Sequence, residues 1–378
     1  MSWFEKHLEP IPAHLAYLIL SAFLLTYALF SSLIRNTLHL SEPPLALLLG
    51  ILFGPAVLNI LNPTQWGLTD NITQEAARVI VGLQLGCDGL LCEGCAGDEV
   101  DDCVGGECVF GAYGSGAGGG GVGGEGLRFA EKWDYIDPAS FLVFYFLLAI
   151  FSIGIGSTLG VDDFLAAFGA GYGFAWDGWF AKKTKETHLP NILDLILNSS
   201  MFVYFGAIIP WSHFTPGEYT QQITPGRLIA LLVLILLFRR IPIVLAMKPF
   251  IPDIKTYREA LFCGHFGPMG LGALFLVIEA RAQLENGTSQ PEPHPPKHTK
   301  HKEAIETIWP VVSFIILGST MVHGLSVAAI SVGSHYSRKE GERAPLIGQE
   351  TNGLHYMVHE GGGGESEPSV SGDEDPQG

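Results

Sequence analysis

Charge is scarce in this sequence: Asp, Glu, Lys and Arg together make up 16% of 378 residues, too little to clothe soluble domains of that total length. Basic residues are scarcer than acids, 21 against 38, and nucleic acid is not an expected partner of a chain with a net charge of -17. A basic leader and a small-residue cleavage site are both missing ahead of the first apolar run, so no cleavable signal peptide is expected. Ser-His-Asp, His-Glu-x-x-His and nucleotide-binding patterns are absent from any suitable context. An enzyme is therefore the least supported class, and no cofactor or metal is expected. What is present is apolar. Hydrophobic residues reach 48%, the mean hydropathy is positive, and long apolar runs recur between His14 and His335. That excludes a disordered, collagen-like or coiled-coil chain and leaves an all-α polytopic membrane protein.

The acidity is local. Eight acids and no Lys or Arg lie in residues 87–126, and six more acids lie in 360–378. Those two stretches hold 14 of the 17 net negatives, so the rest of the chain is close to neutral. Residues 87–126 also contain fifteen Gly and five of the six cysteines, with very few large apolar side chains. Such a stretch neither spans a bilayer nor builds a core, and it reads as disordered. Cys87, Cys92 and Cys95 have the C-x4-C-x2-C spacing of plant-type ferredoxins, and Cys92 with Cys95 is half of a zinc site. Cys103 and Cys108 follow amid glycine and acid without a His to complete a ligand set, so the expectation is a metal-free segment.

Stretches able to cross about 30 Å of hydrocarbon as helix fall at 14–34, 140–159, 191–211, 226–247, 260–280 and 308–332. Shorter, glycine-rich stretches at 45–61 and 163–176 suit helices buried among others or broken within the membrane. A further amphipathic stretch, 72–86, is expected to stop short of a full crossing. Lys182, Lys183 and Lys185, then Lys248, Lys255 and Arg258, then Arg338, Lys339 and Arg343 mark alternate loops, while 212–225 has no Lys or Arg. The positive-inside rule then places the C-terminal tail in the cytoplasm, together with the segment around Arg128 and Lys132. The N-terminal part does not fit that parity: with three helices before Cys87, either the third fails to span or something is missing. Residues 281–307 fall outside by the same rule and contain Asn286-Gly287-Thr288, a possible N-glycosylation acceptor.

Four polar positions inside the apolar runs are candidates for an ion pathway. Arg239 and Arg240 precede Ile241 and Pro242 within one run. A guanidinium at membrane depth faces a water-filled path or an acid, unless the run ends near Phe238 and the arginines snorkel to the cytoplasmic interface. Asp194, on the same helical side as Asn198, is one partner candidate, and otherwise an interfacial acid at a helix start. Asp162 and Asp163 form a pair that could hold a cation but is expected to cap the next helix. His265 and His323 have the chemistry of proton relays, yet each stands beside Gly, which points to close helix packing.

Several longer strings carry a resemblance. Leu40-Ser41-Glu42-Pro43-Pro44, Gly50-Ile51-Leu52-Phe53-Gly54-Pro55 and Trp66-Gly67-Leu68-Thr69-Asp70 lie in the first part. Phe168-Gly169-Ala170-Gly171, Phe238-Arg239-Arg240-Ile241-Pro242, His265-Phe266-Gly267-Pro268-Met269-Gly270 and Gly318-Ser319-Thr320-Met321-Val322-His323-Gly324 lie in the second. With these, residues 14–84 and 135–354 resemble the fungal plasma-membrane alkali-metal cation/proton antiporters of the sodium/hydrogen exchanger family. The resemblance implies a bundle built from inverted repeats with broken helices crossing near the midplane, of which this chain is a remnant of about eight or nine hydrophobic helices. It implies exchange of Na⁺ or K⁺ for H⁺ in cation and pH homeostasis, with no enzyme activity, in contact with the lipid bilayer and with a homodimer as a possible assembly. It also implies that Arg239 or Arg240 is the basic member of the ion site. The family's acidic motifs, a T-P-T-D-P-like broken helix and an N-D pair, do not occur here, and residues 87–126 stand in their place and resemble nothing in the family. The expected organisation is N-terminal membrane helices at 1–86, the Cys/Gly/acid-rich segment at 87–126, the C-terminal half of the antiporter domain at 127–335, and a cytoplasmic acidic tail at 336–378. As written, the chain is expected to be transport-defective; the alternative is a non-transporting membrane scaffold that associates with a full-length antiporter.

Overall fold

The computed structural model describes residues 12–33, 41–63, 66, 69–91, 125, 129, 132–133, 138–175, 189–217, 221–252, 254–291 and 301–337. These hold eleven α-helices and no strand among the described residues. The helices are α1 (Pro12–Leu33), α2 (Glu42–Phe53), α3 (Thr69–Leu91), α4 (Pro138–Leu159), α5 (Asp163–Ala175) and α6 (Leu189–Ile208), then α7 (Pro225–Phe238), α8 (Ile241–Met247), α9 (Tyr257–His265), α10 (Leu271–Asn286) and α11 (Lys302–Ser337). Contacts divide the chain into Met1–Gly333, which carries the core, and Ser334–Gly378, of which only the end of α11 is described. Cys92, Cys95, Cys103 and Cys108, the loop with Lys182, Lys183 and Lys185, and the acidic tail lie outside the described residues.

The helix ends follow local chemistry. Pro43 and Pro44 open α2, where a missing N–H costs nothing. Thr256 and Glu259 form a reciprocal capping box at the start of α9, and Gly287 ends α10 in the left-handed conformation with φ of 75°. Asp162 does cap α5, its Oδ1 accepting from the Leu165 N–H at 2.9 Å. Asp163, the first residue of α5, accepts from the Phe164 N–H through Oδ1 at 3.1 Å while its Oδ2 bonds Arg78.

One sequence expectation is corrected here. The stretch 72–86 was expected to stop short, but α3 runs for 23 residues. At about 1.5 Å per residue that length matches the hydrocarbon thickness. However, α3 is amphipathic and is not among the helices that are both long and apolar enough to cross. The five residues beyond Gly86 are helical despite Gly89, and α5 packs against α3 there: a Cβ at Gly171 of α5 would overlap the Gly86 carbonyl.

Side chains meet most closely where α2 crosses α6 and where α3 crosses α5. Gly50 and Gly206 let the first pair of backbones touch, since a Cβ on either would strike the partner's main chain. Phe205, Leu47, Leu274 and Ile316 fill the centre, each at most 1% exposed. Elsewhere the helices are apolar on the outside: Ile229, Leu234, Leu237 and Phe238 of α7 and Leu25 and Leu29 of α1 are all at least half exposed. That surface is suited to lipid rather than water. Two segments, Pro225–Phe250 and Lys302–Ile330, are long and apolar enough by length and composition to cross a membrane.

Candidate functional site: two broken helices and a polar stripe

The run 226–247 is broken in the middle. Pro242 has no N–H for the Phe238 carbonyl, and the ladder pauses at Arg239 and Arg240 before α8 begins. The run 260–280 breaks likewise at residues 266–270, where Phe266 turns extended (ψ of 103°) ahead of Gly267-Pro268. A helix ending in this way leaves its last carbonyls without intrahelical donors and presents the negative end of its dipole. Three side chains supply what is missing. The Arg239 guanidinium donates to the Gly267 carbonyl. Arg240 Nη1 donates to the Phe266 carbonyl at 3.1 Å. His323 Nε2 lies 2.8 Å from the His265 carbonyl.

The third element is α11, which presents Ser319, His323 and Ser326 at a spacing of four and three residues, on one helical face. Ser319 Oγ accepts from the Met269 N–H at 2.9 Å, tying α11 to the entry of α10. Ser326 Oγ is 2.9 Å from His265 Nε2, and the two imidazole rings stack with centroids 5.2 Å apart. Gly267 and Gly324 have no room for a Cβ: Arg240 lies over the first, and Pro44 with Ser41 of the α2 entry lies against the second. The glycines beside both histidines are thus packing positions, as the sequence suggests, but the rings between them are hydrogen-bonded parts of the break.

Arg239 and Arg240 therefore meet carbonyls rather than carboxylates. Among the described residues neither forms an ion pair. The option of pairing with Asp194 is not realised: Asp194 is exposed on α6 and its Oδ1 accepts from Gln84 Nε2 of α3 at 2.6 Å. Asn198, one turn further on, is half-buried and makes no hydrogen bond to either arginine. Asn286 closes α10, with its Oδ1 accepting from the Thr288 N–H at 2.8 Å and its Nδ2 donating to the Gln290 carbonyl at 2.9 Å.

Sequence reasoning missed the ion pairs of the interior: Arg281 of α10 bonds Asp70 of α3 at 2.8 Å and the buried Glu285 at 2.9 Å, and a second pair joins α3 to α5. Arg78 of α3 bonds Asp163 of α5, with side chains 12% and 11% exposed, and Ser157 Oγ of α4 donates to the same carboxylate at 3.0 Å. The guanidinium also lies over the Phe275 ring of α10, 5.0 Å from its centroid. A single acid and a single base 85 residues apart carry no local signal of their pairing.

Two guanidiniums and two imidazoles surround the carbonyl oxygens of the breaks, so the described site is basic. Na⁺ needs several oxygen ligands, and a carried charge needs a fixed carboxylate to compensate it. No group of three or more acidic, His or Cys side chains able to hold a metal ion exists among the described residues.

With crossing helix breaks and an apolar exterior established, comparison with known proteins places the chain. It belongs to the sodium/hydrogen exchanger family, whose transmembrane model matches residues 101–333. It is 35% identical to the Na(+)/H(+) antiporter of Saccharomyces cerevisiae over 87% of this chain and 44% of that protein. It is 34% identical to Na(+)/H(+) antiporter 2 of Zygosaccharomyces rouxii, over 89% of this chain and 55% of that protein. The chain thus spans about half the length of the curated relatives it matches. Its fold is similar to that of the sodium proton antiporter MjNhaP1 from Methanocaldococcus jannaschii solved at pH 8, with a TM-score of 0.50 at 15% identity, covering 83% of this chain and 100% of that one. This is a family of transmembrane exchangers rather than of enzymes.

Two details of the alignments bear on how much of its relatives this chain retains. The match to the S. cerevisiae protein extends over 444 positions but uses only 87% of a 378-residue chain, so about 115 positions have no residue here. The N-terminal helices take part in the likeness, since 87% exceeds the share of the chain lying after residue 100. The family model also begins at residue 101, inside the segment that the sequence reading set apart as resembling nothing in the family. That expectation is corrected for residues 101–126.

Proposed function

We propose that this chain carries the scaffold and the basic half of a Na⁺ or K⁺/H⁺ antiporter, and that in this form it does not exchange these ions. The observation that carries the reading is the pair Arg239 and Arg240 at crossing helix breaks, bonded to carbonyls and paired with no acid among the described residues. Antiport needs one carboxylate for which cation and proton compete, reached alternately from each side. The relatives are named Na⁺/H⁺ antiporters, and about 115 of their aligned positions are missing here. Three helices precede the Cys- and Gly-rich segment, and were all three to cross, the parity argument would favour a loss of helices at that segment. The chain would lie in the plasma membrane as a multi-pass protein with a cytoplasmic acidic tail at 336–378, and Asn286 would be an external glycan acceptor.

The test is cation-driven pH change in proteoliposomes, comparing the chain with its Asp194→Asn variant. No exchange in either is the expected result. Exchange abolished by Asp194→Asn would overturn the reading and make Asp194, with Asn198 beside it, the ion site; exchange that survives would place the site elsewhere. The second reading is a non-transporting truncated membrane protein or scaffold that associates with a full-length antiporter, supported by the roughly 115 aligned positions that have no residue here. Co-purification with a full-length relative tests it.

A further inference from the structure

The loop that joins α8 to α9 gathers cations and exposed apolar surface in one short stretch. Residues 248–259 carry Lys248, Lys255 and Arg258 against Asp253 and Glu259. Asp253 lies outside the described residues. Glu259 is committed to the backbone, its Oε2 accepting from the Lys255 N–H at 2.8 Å and the Thr256 N–H at 3.2 Å. Among the described residues no carboxylate forms an ion pair with Lys248, Lys255 or Arg258. Lys248 lies over the Tyr257 ring instead, with Nζ 5.0 Å from the centroid, and this contact draws the two ends of the loop together. Between them Phe250 stands 78% exposed.

The packing around the loop shows what this surface meets. None of the residues of α8 is buried, and α9 buries only Ala260 and Gly264. Ile243, Met247, Tyr257 and Leu261 are exposed on the same hairpin, an apolar surface suited to lipid rather than water. The apolar segment Pro225–Phe250 has 26 residues, whereas about twenty cross the hydrocarbon. Lys248 and Phe250, at its end, therefore stand where the segment leaves the hydrocarbon, at the level of the lipid headgroups. Lys255 and Arg258 stand beside them, at the start of the returning helix α9, and both are exposed.

We propose that the α8–α9 loop binds an anionic phospholipid. Lys255 and Arg258 meet the headgroup phosphate, the guanidinium with a planar fork and the ammonium as a point charge. Lys248, set by the Tyr257 ring, adds a third cation, and Phe250 enters the acyl boundary beside them. A zwitterionic headgroup carries its own cation, which the same cluster repels, so selection is by net charge. Arg239 and Arg240 take no part, because the carbonyls of the helix break hold them at the other end of α8. The proposal needs the membrane setting of the chain and not ion exchange, so it stands or falls apart from the proteoliposome test.

The experiment is native mass spectrometry of the full chain, presented with equal amounts of phosphatidylserine and phosphatidylcholine of identical acyl chains, reading the first lipid adduct. One cation near an anionic headgroup is worth about fivefold in binding. The expected result is a preference for phosphatidylserine of about fivefold or more, falling to within about twofold of parity in the double variant Lys255→Gln with Arg258→Gln. Phe250→Ser should weaken the adducts of both lipids and leave the preference in place. Arg227→Gln, which removes an exposed cation from the opposite end of the same segment, should change nothing. An excess of inorganic phosphate should leave the adducts intact, and displacement by it would assign the cluster to a free anion and overturn the lipid proposal. Parity in the unaltered chain would overturn it, as would a preference that survives the double variant or falls equally in Arg227→Gln. Adducts undiminished in Phe250→Ser would also overturn it.

Discussion

Replacing Asp163 by Asn tests whether the α3–α5 junction depends on a charge pair. The substitution keeps the shape and one acceptor oxygen, so the Phe164 N–H, 3.1 Å from Oδ1, retains its partner. What changes is the charge facing Arg78, a side chain only 12% exposed. Its remaining partners are weak: Ser157 Oγ at 3.1 Å, the Phe275 ring at 5.0 Å, and a Glu75 carboxylate 3.7 Å from Nε whose side chain is 54% exposed. Arg78 Nε already has no hydrogen bond. An uncompensated buried guanidinium costs about 3–5 kcal/mol, against about 0–1 kcal/mol for an exposed pair. Reversible unfolding in mixed micelles, titrated with SDS and followed by tryptophan fluorescence, measures the difference. The expected loss for Asp163→Asn is about 3 kcal/mol or more. The double variant Arg78→Met with Asp163→Leu, which removes both charges, should recover most of it. A loss below about 1 kcal/mol for Asp163→Asn would refute the reasoning and show that the pair is screened like a surface one.

Two further outcomes follow from local geometry. Gly206→Val forces a side chain into the Leu47 and Gly50 main chain and should destabilise the fold by about 1–3 kcal/mol in the same titration, whereas Gly226→Ala, where a Cβ meets nothing within 4 Å, should not. Glu259, just before the span 260–280, has its carboxyl held below the ordinary value of 4.5, chiefly by the Lys255 N–H and then by the Thr256 N–H. A depressed carboxyl contributes stability above its ordinary value and loses it as pH falls through the depressed one. Amide exchange in the first turn of α9, corrected for intrinsic rates, should therefore stay level above pH 4.5 and rise only below it, with the acid-side rise absent in Glu259→Gln.

Much of this architecture is written in short-range signals. The apolar runs marked most helices, and Asp162 and Asp163 marked the start of α5, because each depends on neighbours within a turn or two; the breaks at Pro242 and Pro268 fall inside the runs 226–247 and 260–280, which read from the sequence as unbroken crossings. The family likeness was legible for the same reason, in strings of contiguous residues. The sequence alone also showed what was wanting, since an absent acidic motif is as readable as a present one. Tertiary structure decided the partners. Asp194 turned to Gln84 and not to an arginine, Arg78 found Asp163, and α3 continued past Gly86 because α5 packs on it. His323 met the His265 carbonyl only where α11 packs against the end of α9. Such pairings join residues tens to hundreds of positions apart, and they are set by the angle and depth at which helices cross. No periodicity within one helix encodes that geometry, so the chemistry of the break emerges only when the crossings are in place.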